Sequence, residues 1–263
     1  MKGKQTLDER LTLLCKALKL PAFVALFAET ARQAESQGWT FEQYLHHLAE
    51  CELEERRRRR VQRNLKRSML PQGKTLAALT LGKLPAKVRR QVPTLCEGGF
   101  VDRAENVLAF GLPGRGKTHL LCAIAHELIQ RGRTVLFCPA FKLVQMLLVA
   151  KRELELEQAL RKLDRFDVVL VDDIGYIQQN REEMEVLFTF LSQRYERRSV
   201  MITSNLVFSQ WDRIFKDPMT TAAAIDRVVH HAIILELTGK SVRNEQAHKR
   251  NGRAAPKSTK EDK

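Results

Sequence analysis

The chain has 263 residues, 44% of them hydrophobic, enough to bury one full domain and a smaller one without covalent staples. Its five cysteines, Cys15, Cys51, Cys96, Cys122 and Cys138, are widely spaced and form no C-x-x-C pair, which excludes a disulfide framework and a zinc-ribbon site. No apolar run reaches about eighteen residues and the N-terminus carries no signal region, so a soluble, cytoplasmic protein without a membrane partner is expected; the net charge of +14 points instead to a polyanionic partner.

In chain order, Leu11, Leu14, Leu18, Phe23, Leu26 and Phe27 recur at helical spacing, with Pro21 marking a turn between two helices. Thr40 followed by Gln43 has the spelling of a capping box and predicts a long helix that ends before Pro71. Residues 1–70 therefore read as a helical N-terminal domain for DNA or partner binding. Between Glu52 and Arg67 this helix carries eight Lys/Arg against three Glu, and Lys240 to Lys263 repeats that balance. Arg56, Arg57, Arg58, Arg59, Arg60, Arg63, Lys66 and Arg67 are the candidate DNA-binding residues, since each neutralised phosphate releases counterions. The alternative is a solvated helix face and a solubilising tail. Aromatic residues near the basic runs are too few for stacking on single strands, which leaves duplex DNA as the expected form. Pro71, Pro85, Pro93 and Gly98-Gly99 interrupt the periodicity over 71–98, read as a connector.

From residue 99 to 243 apolar strands (NVLAF, TVLFCPA, VVLVDD, SVMITSN, AIILEL) alternate with amphipathic helices, one of them spanning 141–163. That alternation predicts an α/β fold, a parallel sheet flanked by helices on both faces. Residues 244–263 contain almost nothing to bury and read as a disordered basic tail.

Three strand ends carry chemistry. GLPGRGKTHL places Gly111, Leu112, Pro113, Gly114, Arg115, Gly116, Lys117, Thr118 and His119 between a strand and a helix. The glycines let backbone N–H groups turn towards β- and γ-phosphates, Lys117 adds a point charge, Thr118 offers a hydroxyl to Mg²⁺, and the helix N-terminus adds its dipole. ATP with Mg²⁺ is the implied cofactor pair. VVLVDD delivers Asp172, a candidate Mg²⁺ ligand, and Asp173, a candidate base or water-orienting group, where open α/β sheets place ligands. SVMITSN ends in Ser204 and Asn205, whose amide could read the γ-phosphate or position water.

These motifs resemble the AAA+ branch of P-loop ATPases. GKTHL, DDIGY, TSNLVFSQW and AAAIDRVVHH, with LKLPAFVALF, WTFEQYLHHLAECELEERRRRR and KTLAALTLGKLP in the N-terminal part, resemble the IstB-like transposition helper ATPases, relatives of DnaC-type helicase loaders. The resemblance covers about residues 7–243. It implies a DNA-binding ATPase of a mobile element that forms homo-oligomers and cooperates with the transposase of the same element. It also implies that Asn205 is a sensor, that Arg227 is an arginine finger for a neighbouring subunit, and that Arg243 is a second phosphate-sensing arginine. Many AAA+ ATPases have Asp-Glu where this chain has Asp172-Asp173, and the shorter acid fits slow, switch-like hydrolysis. A replicative helicase loader shares the same nucleotide chemistry; a small-molecule kinase would share only the phosphate loop. His230 and His231, between apolar neighbours and without cysteines or acids at metal spacing, read as packing or capping residues. Trp211 reads as a core anchor.

Overall fold

A computed structural model describes residues 2–176, 181–206, 210–211 and 218–238. The chain divides into two compact units, residues 1–63 and 64–263, so the division falls inside a helix rather than in the stretch 71–98.

The first unit holds helices α1 (Lys2–Ala17) and α2 (Pro21–Gln37) and most of α3 (Phe41–Ser68). Pro21 opens α2, where its missing N–H is no loss, and Gly38 at φ 65° closes it by donating its N–H to the Ala34 carbonyl. The capping box forms as spelled: the Thr40 N–H donates to Gln43 Oε1 at 2.8 Å and the Gln43 N–H to Thr40 Oγ1 at 3.3 Å. Cys15, Ala22, Leu48 and Val61 are buried. So is Glu52, which accepts the Ala22 N–H at 2.8 Å and so places a carboxylate on the positive end of the α2 dipole.

In the second unit, the proline-rich stretch contains a helix, α4 (Ala86–Glu97), that runs through Pro93. Burial of Val88, Val92, Leu95 and Cys96 along one face outweighs the one hydrogen bond that Pro93 forfeits. After the short α5 (Gly99–Asp102) come β1 (Asn106–Phe110), α6 (Lys117–Gln130), β2 (Val135–Pro139), α7 (Ala140–Arg152), α8 (Leu156–Leu163), β3 (Val168–Asp172), α9 (Arg181–Arg194), β4 (Ser199–Ser204), α10 (Pro218–Val229) and β5 (Ala232–Glu236). The single helix expected over 141–163 is two: Leu154, at φ 60°, turns the chain, and the Glu155 N–H reaches the Ala150 carbonyl at 2.7 Å. The turn lets Leu160 and Leu163 of α8 point into the core.

All five strands are parallel, in the order β2-β3-β4-β1-β5. One face, with Leu108, Phe110, Val169, Val171, Val200 and Ile202, packs against α7, α8, α9 and α10 around the fully buried Trp211. The alternate residues Val107, Ala109, Val168, Leu170 and Met201 are equally buried on the opposite face, against α6. Each of these side chains larger than alanine contributes about 1.5–3 kcal/mol, which makes the sheet a rigid base for the loops at its C-terminal edge. No helix among the described residues is long and apolar enough to cross a membrane.

Candidate nucleotide site and basic helix

The strand order decides which loops meet. Because β4 lies between β3 and β1, the residues after β1, β3 and β4 leave the same edge side by side, with Phe110 level with Ser204 and Val171 level with Ile202.

The loop after β1 has three glycines in the left-handed region, Gly111 (φ 150°), Gly114 (φ 80°) and Gly116 (φ 87°). At Gly111 the need is also steric: a Cβ there would stand 2.5 Å from the Leu237 carbonyl oxygen. Lys117, the first residue of α6, is only 8% exposed, and its ammonium donates to the carbonyls of Gly111 at 2.6 Å and Leu112 at 3.2 Å. The lysine thus lies across the loop whose N–H groups would surround an anion. Thr118 follows on the first turn of α6. His119 turns its ring towards the Thr75 carbonyl, 3.2 Å away, so the ring serves the structure around the loop. Arg115 Nη1 is buried with no hydrogen-bond partner among the described residues.

The acids are organised by a residue that sequence reasoning passed over. The Thr203 hydroxyl donates to Asp172 Oδ1 at 2.7 Å and accepts the Asp173 N–H at 2.8 Å. Asp173 itself is at φ 65°, a conformation that Asp tolerates better than most residues, and it turns the chain out of the strand. On β4's exit Asn205 Oδ1 is buried without a partner among the described residues, and a Cβ at Gly175 would collide with it. Strand pairing is what brings Thr203 and Gly175 into the site, and no spelling in the sequence announces it. Below the site, burial pushes the Cys122 thiol up to about 12, so it stays a protonated core residue.

Arg227, on α10, is half-buried: it donates to the Ala223 carbonyl at 3.0 Å and lies 5.0 Å from the centre of the Phe188 ring. It stacks on α9 within its own chain, and no ion pair with Asp226 forms among the described residues. Arg243 lies outside the described residues.

The arginines of α3 are not equivalent. Arg56 donates to the buried Glu52 at 2.8 Å and to the Lys19 carbonyl at 3.0 Å. Arg58 and Arg59 both pair with Glu55, and hydrogen bonds from Arg59 and Arg58 hold its carboxyl below the ordinary range. Arg57, Arg60 and Arg63 are exposed and make no ion pair among the described residues. Lys66 is exposed, and Arg67 joins Asn64, Thr134, Lys162 and Arg165 around a pocket of about 220 Å³, a basic grouping assembled from segments far apart in sequence.

Residues 13–250 match the protein family described as IstB-like ATP binding protein. The chain is 44% identical over 244 residues to an insertion sequence ATP-binding protein of Sinorhizobium fredii, an alignment spanning 92% of this chain and 82% of the relative. It is 34% identical over 237 residues to the insertion sequence IS5376 ATP-binding protein of Geobacillus stearothermophilus, spanning 90% and 94%. Among solved structures, the replication initiator DnaA bound to AMPPCP and single-stranded DNA superposes with a TM-score of 0.56 at 19% identity, over 70% of this chain and 57% of that one, a likeness of AAA+ fold.

Proposed function

This chain belongs to the family of IstB-like ATP-binding proteins, and from that premise we propose that it is an ATP-hydrolysing helper of an insertion sequence, one that binds duplex DNA, oligomerises there and recruits or activates the transposase of the same element. The observation that carries the reading is the meeting of the phosphate loop, the Asp172–Thr203–Asp173 linkage and Asn205 on three adjacent strand ends.

The residues divide the work. Lys117 exchanges the Gly111 and Leu112 carbonyls for phosphate oxygens, while the N–H groups of the loop and of the α6 N-terminus surround the remaining charge. Mg²⁺ held between Thr118 and Asp172 would offset charge on the β- and γ-phosphates. Thr203 keeps Asp172 oriented and fixes the turn that presents Asp173. Asp173 and the Asn205 oxygen then accept hydrogen bonds from the attacking water. Arg227 of one subunit, released from Phe188, completes the site of its neighbour, and hydrolysis is thereby coupled to assembly.

The test is ATP turnover by the purified protein with and without duplex DNA. Stimulation by DNA with no phosphorylated product is expected, and Lys117→Ala should abolish both nucleotide binding and turnover. Undiminished ATP affinity in that variant would remove the site assignment.

A further inference from the structure

We propose that Glu196, His230 and His231 form a binding site for one zinc-type transition-metal cation, at the edge of the sheet opposite the nucleotide loops. The three residues offer a carboxylate oxygen and two ring nitrogens that all lie within 4.8 Å of one another. A tetrahedral ion with bonds of about 2.1 Å holds its donors about 3.4 Å apart, so small rotations of three exposed side chains close the site. The His231 Nε2 to Glu196 Oε1 distance is already 3.9 Å, and the two histidine rings stand 4.1 Å apart centre to centre. The Tyr195 hydroxyl, 2.8 Å from His230 Nδ1, fixes the orientation of that ring, as an outer-shell partner does in metal sites.

The partner acid is what the sequence conceals. Glu196 follows the end of α9, at φ 56°, and the histidines follow the end of α10, so only the folded chain brings them together. Both histidines are exposed, so of the packing or capping roles expected for them, packing into the core does not hold. Two imidazoles and one carboxylate suit Zn²⁺, Ni²⁺ or Cu²⁺ and are a poor set for Mg²⁺, so the site does not compete for the nucleotide's ion.

Its place is equally specific. The His231 carbonyl accepts the Asn106 N–H at 2.7 Å where β1 begins, and β4 starts three residues after Glu196. The phosphate loop leaves the other end of these strands, about 17 Å away for a five-residue strand. A bound ion would clamp the end of α9 to the end of α10, the helices whose Phe188 and Arg227 stack on each other.

The test uses untagged full-length protein without nucleotide, titrated calorimetrically with Zn²⁺ and with Ni²⁺, and Co²⁺ as the spectroscopic probe. One equivalent should bind, Co²⁺ should show no thiolate charge-transfer band, and the melting temperature should rise on loading. Glu196→Gln and His231→Ala, both at exposed positions, should each weaken binding at least about tenfold, the loss known for outer-shell groups alone, and leave ATP affinity unchanged. Absence of stoichiometric binding, a thiolate band that traces the ion to a cysteine, or affinity in both variants equal to that of the unmodified protein would overturn the assignment.

Discussion

Asn205 and Gly175 show how finely single positions set this site. A methyl group at residue 175 would collide with the buried Asn205 oxygen. Gly175→Ala should therefore displace the amide proposed to position water, and a shift near 1 Å at such a group costs about a hundredfold in turnover. ATP affinity, set by the loop after β1, should stay close to that of the unmodified protein in a filter-binding assay. Arg194 makes the complementary case, a charge that serves the fold. It is 1% exposed and donates to the carbonyls of Leu163, Phe166, Asp167 and Ser199, with Asp164 at 3.5 Å. Replacing it by leucine orphans all of these acceptors, and the protein should lose about 3–5 kcal/mol of stability in urea unfolding. The loop lysine and the strand-end acids were legible in the sequence because their chemistry demands contiguous spelling. Thr203, Gly175 and Arg194 were not, because their partners lie on other strands and helices.

Among elements, α3 carries the DNA proposal, and its geometry separates recognition from support. Arg56 neutralises the buried Glu52 that holds the start of α2, so Arg56→Gln should lower the melting temperature before it says anything about DNA. Among the described residues Arg57, Arg60 and Arg63 have no such duty. Their joint replacement by glutamine should leave the fold intact, weaken duplex binding and flatten the slope of log K against log salt by about 0.9 per lost phosphate contact. An unchanged slope, read from fluorescence anisotropy at several salt concentrations, would reduce the run to a solvated face. The capping box at Thr40 and the α1–α2 turn at Pro21 were readable from local spelling alone. The helix through Pro93 and the break at Leu154 were hidden because burial in the finished core, set by distant residues, overrides local propensity at both places.

At the scale of the molecule, alternating apolar strands and helices were enough to foresee a parallel sheet, since buried parallel strands leave near-continuous apolar runs. The order β2-β3-β4-β1-β5, which creates the site by inserting β4 between the phosphate loop and the acids, was not written in any one segment. Within one chain Arg227 rests on Phe188, whereas in the proposed mechanism it acts on a neighbouring subunit instead. Arg227→Ala should bind ATP almost normally, since Lys117 and the cradle are intact, yet lose on the order of a thousandfold in turnover. The decisive measurement is steady-state ATP hydrolysis on duplex DNA with Arg227→Ala and Lys117→Ala subunits mixed over a range of ratios. Each variant alone should be inactive, and mixtures should recover activity through interfaces that join an intact loop to an intact arginine. Wild-type turnover by Arg227→Ala alone, independent of protein concentration, with no gain on mixing, would contradict the account.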